Sequence, residues 1–191
     1  MDKRTFLAAG ASVAALSLLS TGCTTTGGAS SDPDARRRTI DADVDNALSR
    51  LYREAGGSQE LVARSAGVLV FPSVVSGGFI VGGSHGQGAL RKGGKTAGFY
   101  SMGAASVGLL AGGQSRAVFI LFMTPDALKR FEASSGWTAG VDGSVALISV
   151  GANARVTTQD VQQPVVGFVL TNAGFMADLS LNGTRVSRLD L

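Results

Sequence analysis

Six basic side chains stand in two tight groups, Arg36-Arg37-Arg38 and Arg91-Lys92 with Lys95 across Gly93-Gly94. Guanidinium and ammonium groups this close together favour phosphate or carboxylate oxygens through charge-assisted hydrogen bonds. Gly94-Lys95-Thr96 also mimics the end of a phosphate-binding P-loop. That pattern requires Gly where the chain has Ala89, and a helix where Ala97-Gly98-Phe99-Tyr100 reads as strand. Nucleotide binding is therefore excluded, and an exposed basic turn between two apolar strands is expected for Arg91, Lys92 and Lys95. Arg36, Arg37 and Arg38 read either as a solvated charge run or as a group drawn to an anionic surface, at about 1 kcal/mol per residue near it.

Other chemistry is sparse. His85 is the single imidazole, and its neighbours Ser84 and Gly86 form no nucleophile elbow. Gly113-Gln114-Ser115-Arg116-Ala117 lacks the closing Gly of such an elbow. Asp142 and Asp178 fall in turn-like or strand surroundings and pair with no second carboxylate. One Cys and one His build neither a disulfide framework nor a His/Cys metal site. The expectation is a non-catalytic chain with no cofactor and no metal. Formal net charge is +3 over 191 residues, too mild to argue for nucleic acid.

The N-terminus sets the expected compartment. Lys3 and Arg4 precede an apolar run from Phe6 to Leu19, a signal-peptide pattern too short to span a bilayer comfortably. It ends in Leu19-Ser20-Thr21-Gly22-Cys23, which resembles the lipobox of bacterial lipoproteins, where the cysteine thiol takes the lipid. Residues 1–22 are expected to be a signal peptide, Cys23 the lipidated residue and 23–38 a flexible tether of Thr, Gly, Ser, Asp and Pro. Thr24 is not the Asp associated with inner-membrane retention, which points to the periplasmic face of the outer membrane.

The groups above must be positioned by residues 39–191. Ile40, Val44, Ala47, Leu48, Leu51, Tyr52 and Ala55 recur at helical spacing on one face, with Thr39 as a candidate cap. A shorter helix follows over 58–66. Apolar runs bounded by Gly, Pro and Ser then read as strands. Gly82 and Gly83 are expected where a strand bulges or another backbone approaches. Residues 117–123 are apolar throughout, so both faces of that strand must be covered. Thr124-Pro125-Asp126 opens an inserted helix. Closing strands are expected over 165–170, 174–181 and 184–189, the last two joined in a hairpin by Asn182-Gly183. The fold class expected is α+β: a mostly antiparallel, strongly curved or barrel-like sheet with two N-terminal helices and one inserted helix. A transmembrane barrel is excluded by 6% aromatics, too few for two girdles, and by the inserted helix.

Several separated motifs carry a family resemblance. They are Gly67 to Arg91, Gly98-Phe99-Tyr100, Ser115-Arg116, Leu121-Phe122-Met123-Thr124, Ser135-Gly136-Trp137, Gly140-Val141-Asp142-Gly143-Ser144 and Pro164-Val165-Val166-Gly167. In this order the chain resembles a bacterial SYLF domain over roughly residues 40–191. The resemblance implies binding of membrane lipids, anionic or phosphoinositide-like, whereas actin regulation belongs to eukaryotic members and no actin is available in a bacterial envelope. Two functions follow as expectations. Either the domain meets lipid head groups through Arg91, Lys92, Lys95 and Arg36 to Arg38, or it is a structural envelope module that binds a protein partner.

Overall fold

A computed structural model of the chain describes residues 32–78, 81–107, 114–148, 162–171, 174–175 and 181–191. Cys23 and the expected signal segment lie outside the described residues, as does Asp178. Helix α1 spans Pro33–Glu54 and α2 Ser58–Arg64. Strands β1 (Gly67–Gly78), β2 (Val81–Lys92), β3 (Lys95–Val107) and β4 (Gln114–Phe122) follow, then α3 (Pro125–Ala133). Five further strands close the order: β5 (Trp137–Thr138), β6 (Ala146–Leu147), β7 (Val165–Thr171), β8 (Gly174–Phe175) and β9 (Arg185–Leu189).

Helix α1 starts earlier than the expected Thr39. Asp32 adopts an extended conformation and its side chain accepts the Asp34 N–H, with Pro33 at the first helical position. Pro33 to Arg38, read from the sequence as the end of the tether, are thus the first turns of α1. The triple Arg hid this start, because cations oppose the dipole there. Asp32 and Asp34 offset them, lying near Arg38 and Arg37 respectively. Helix α3 begins as expected, with Thr124 accepting the Ala127 N–H and Pro125 in the first turn.

The strands form one sheet in the order β5-β9-β3-β2-β1-β4-β7-β6, with β8 added beside β7. All described pairings but β6 with β7 are antiparallel. The sheet is strongly curled into a half-barrel, and the chain between its two edges shows why. Strands β5 and β6 sit at opposite ends of the path, yet only seven residues separate Thr138 from Ala146. Eight strands laid flat span about 34 Å from edge to edge. Fully extended, that connection reaches only about 27 Å, and it contains a turn at Gly140 to Gly143. The edges can be joined this way only if the sheet curls.

Each face of the curled sheet has its own core. On the inner face Leu69, Val118, Ile120, Phe122, Val165 and Val169 pack with Leu128 and Phe131 of α3 and with Trp137. On the outer face Val68, Val70, Phe119, Leu121, Val166, Phe168 and Leu170 pack under Ile40, Val44 and Leu51 of α1 and Leu61 of α2. Strand β4 is buried on both faces from Ala117 to Phe122, the outcome its uninterrupted apolar run required. Each large side chain buried this way contributes about 1.5–3 kcal/mol.

A bulge sits in β1 where the register with both neighbours shifts between Val70 and Val74. It brings the β1 backbone over β2, so a Cβ on Gly88 would run into the Val70 carbonyl, and one on Gly86 would lie 2.9 Å from the Ser73 carbonyl oxygen. These are the close approaches expected at Gly82 and Gly83. At Gly83 the nearest atom to an added Cβ is the Ala104 carbonyl oxygen at 3.6 Å, an ordinary contact. Sequence alone placed the glycine-rich strand correctly but not the bulge, which Pro72 starts on the facing strand.

The closing strands differ from their expected hairpin. Leu181 to Thr184 do turn, with Gly183 at φ 79°. However, β9 pairs with β3 and β5, while β8 pairs with β7. The strand expected over 174–181 is described only at Gly174–Phe175.

Candidate functional site

Strands β2 and β3 meet in a tight turn at Gly93 and Gly94, both at positive φ (56° and 79°), the two-residue geometry that matches strand twist. Arg91, Lys92 and Lys95 flank it as the sequence implied. Their side chains do not converge. Arg91 reaches to α1, where Nη2 lies 2.6 Å from Asp45 Oδ1 and 3.4 Å from Asp41 Oδ1, and donates to the Asp41 carbonyl. Thr96 completes the knot by accepting from Arg91 and donating to Asp41. The Arg91 side chain is 10% exposed. Lys92 turns to the other side of the strand and pairs with Glu132 of α3 at 3.0 Å. Alternate side chains of a strand face opposite ways, so neighbours in sequence serve opposite layers of the fold. Lys95 is exposed and makes no ion pair among the described residues.

The other basic group lies farther up α1. Arg36 donates to the Gln87 side chain of β2 at 3.3 Å and, with Thr39, Ile40, Asp43, Pro72 and Ser73, lines a shallow cavity of about 350 Å³ over the bulge. Arg37 pairs with Asp34 and stays 43% exposed; Arg38 is 73% exposed and 3.9 Å from Asp32. With a rise of about 1.5 Å per residue, Arg38 stands about 10 Å along the helix from Asp45.

Between α1, α2 and the base of the β2–β3 turn lies a larger cleft of about 590 Å³. Leu48, Val62, Ala63 and Val68 give it an apolar lining, Tyr52, Ser49, Gln59 and Ser65 supply polar groups, and Asp45, Arg91, Gly93 and Gly94 close the end at the turn. Its volume is that of a typical small-ligand pocket. Burial raises the Tyr52 pKa above its ordinary value, helped by the nearby Asp45 charge, so the phenol is a neutral donor in the cleft. The sequence missed Asp41, Asp45 and Tyr52 as neighbours of the turn. The one available signal was the i, i+4 spacing of the two aspartates on one side of α1.

The inner face carries a second polar feature, Arg116 of β4, which donates to the Ser76 hydroxyl at 2.9 Å. His85 lies on β2 opposite Val75 and Gly103 and is exposed. Asp142 accepts the Thr138 N–H at 2.6 Å, a turn role as expected. No cluster of three or more potential metal ligands occurs among the described residues. No helix among them is long and apolar enough to cross a membrane.

Residues 103–190 match the model of the family described as Ysc84, Las17-binding protein actin regulator. Among curated proteins none matches the chain. The matched region runs from the end of β3 through β9 and takes in Arg116, α3 and the segment from Trp137 that joins both sheet edges, while the cleft is built mainly from residues before it. With the curled antiparallel sheet and inserted helix beside that match, the chain is a SYLF-domain protein.

Proposed function

We propose that this is an exported protein, anchored in the cell envelope through a lipid on Cys23, whose SYLF domain binds membrane lipid without catalysing a reaction. One observation carries the lipid reading: an apolar-lined cleft of about 590 Å³ opens beside the basic β2–β3 turn. An amphipathic ligand would place its apolar part along Leu48, Val62 and Val68 and its head group toward Gly93, Gly94 and Lys95. Exposed Lys95, with Arg37 and Arg38 at the start of α1, supplies the attraction to an anionic surface. Arg91 contributes by holding the turn against α1 rather than by meeting phosphate directly. Large apolar side chains exposed among the described residues are only Val75 and Val141, separate positions that give a protein partner no broad patch.

The test is flotation of residues 24–191, which lack the anchor, with phosphatidylcholine vesicles with and without phosphatidylglycerol. Binding to the anionic vesicles that falls severalfold with Lys95→Ala, and again with Val62→Asp in a chain that still melts cooperatively, supports the reading. Equal binding by all three proteins removes it. Detergent-phase partitioning of Cys23→Ala in cells tests the anchor separately.

A further inference from the structure

Arg116 is the charged member of a row that is otherwise apolar. The register places Trp137, Val186, Met102, Gly86, Val74 and Arg116 side by side across six strands. Val74, Met102, Val186 and Trp137 all belong to the inner core, so Arg116 stands on the inner face of the half-barrel. There its Nε is buried without a hydrogen-bond partner, and its only described bond goes to the Ser76 hydroxyl. No carboxylate among the described residues pairs with it. Arg91, whose Nε is likewise buried without a hydrogen-bond partner, differs in having two aspartates within 4 Å. Burial alone lowers the Arg116 pKa from its ordinary value. A half-buried guanidinium with no counter-ion among the described residues is costly for stability, since a charge taken partly out of water needs a partner.

The surroundings have the form of a receptor. Ser76 is 4% exposed, and because its oxygen accepts from Arg116, its own proton is free to donate. Ser84 stands directly opposite Ser76 on β2, and Ala104 follows opposite Ser84 on β3. Positions 76, 84 and 104 of this second row thus all carry small side chains. Donors would then come from the planar fork of Arg116 and from two hydroxyls on neighbouring strands, an arrangement suited to a tetrahedral oxyanion more than to a flat carboxylate.

We propose that Arg116, Ser76 and Ser84 form a binding site for a phosphate group in the inner mouth of the half-barrel. The site is on the opposite sheet face from the α1–α2 cleft and does not depend on the lipid reading of that cleft. The phosphate can be free or carried on a lipid head group, and the experiment separates the two. Full-length protein in non-ionic detergent is titrated with inorganic phosphate in one arm and with micellar phosphatidic acid in the other, following heat of binding and the melting midpoint at constant ionic strength.

Wild type is expected to bind in at least one arm, which identifies the source, and to gain several degrees in midpoint at saturation. Arg116→Met is expected to keep or raise the midpoint of the unliganded protein while binding falls at least tenfold; Arg116→Lys, which keeps charge but loses the fork, falls between. Ser84→Ala gives a second, milder variant, with a severalfold loss. Absence of binding in both arms, or binding by Arg116→Met equal to wild type, overturns the site.

Discussion

Arg91 and Lys92 are adjacent in the chain, yet Arg91 is tied to Asp45 of α1 on the outer face and Lys92 to Glu132 of α3 on the inner face. One turn of sheet thereby fastens the two helical layers. The Arg91 guanidinium is 10% exposed and serves Asp41, Asp45 and Thr96 at once, although Asp45 itself is open to water, whereas the half-exposed Lys92 meets Glu132 alone. The two therefore differ in energetic weight. Arg91→Ala strands Asp41, Asp45 and Thr96 without their common donor and is expected to lower stability by about 1.5–3 kcal/mol. Lys92→Ala is expected to cost under about 1 kcal/mol. Urea denaturation of both variants checks the order, and similar midpoints would mean the knot is no stronger than a surface pair.

The bulge in β1 makes a sharp distinction among glycines of β2. Gly88→Ala drives a methyl into the Val70 carbonyl, where backbone must move, and should destabilise by at least about 1–3 kcal/mol. Gly83→Ala meets only an ordinary contact and should stay within about 0.5 kcal/mol of wild type. Thermal melts decide between this pattern and one in which both positions matter alike.

Phe131 is the centre of an aromatic group, with ring centroids 5.0 Å from Tyr100, 4.8 Å from Phe122 and 5.9 Å from Trp137. It joins α3 to the segment that spans the sheet edges. Phe131→Ala is expected to cost about 3–5 kcal/mol and to shift the emission of Trp137, the single tryptophan, toward that of exposed indole. An unshifted spectrum in the folded variant would show that Trp137 is held without α3.

Alkaline pH should loosen the fold through its tyrosines. Burial raises the Tyr100 pKa above 10.0, with Arg188 opposing and Glu132 adding to the rise; Tyr52 is raised too. The unfolded chain loses these protons first, so the native state holds more of them and stability falls as pH rises. The contribution is complete below pH 10 and disappears as pH climbs through the raised native values. Tyr100→Phe, which keeps the ring, is expected to flatten the decline in melting midpoint above pH 10. An identical decline in wild type and variant would assign it to other groups.

Local chemistry was legible from the residues themselves. The apolar run at Ala117 to Phe122 had to be covered on both faces, Thr124-Pro125 had to open a helix, and Gly93-Gly94 had to turn a hairpin, because each depends on neighbours within a few positions. The α+β class and the curled sheet were legible too, from strand count, glycine content and the three helices. What needed the tertiary structure was every relationship between distant positions. The alternation of a strand sends Arg91 and Lys92 to different layers, but only packing decides that Asp45 and Glu132 wait there. Pro72 hinted at an interruption in β1, whereas the glycines that make room for the bulge, Gly86 and Gly88, are identified by the facing register. The same holds for Arg116: its type and its place in a strand were plain, but its lack of a counter-ion depends on which residues the curl brings near it. Carboxylate partners lie about 50 residues away for Arg91 and nowhere among the described residues for Arg116. Chain order contains no distance across a sheet, and the closure of one by a short connection sets those distances for all the strands at once.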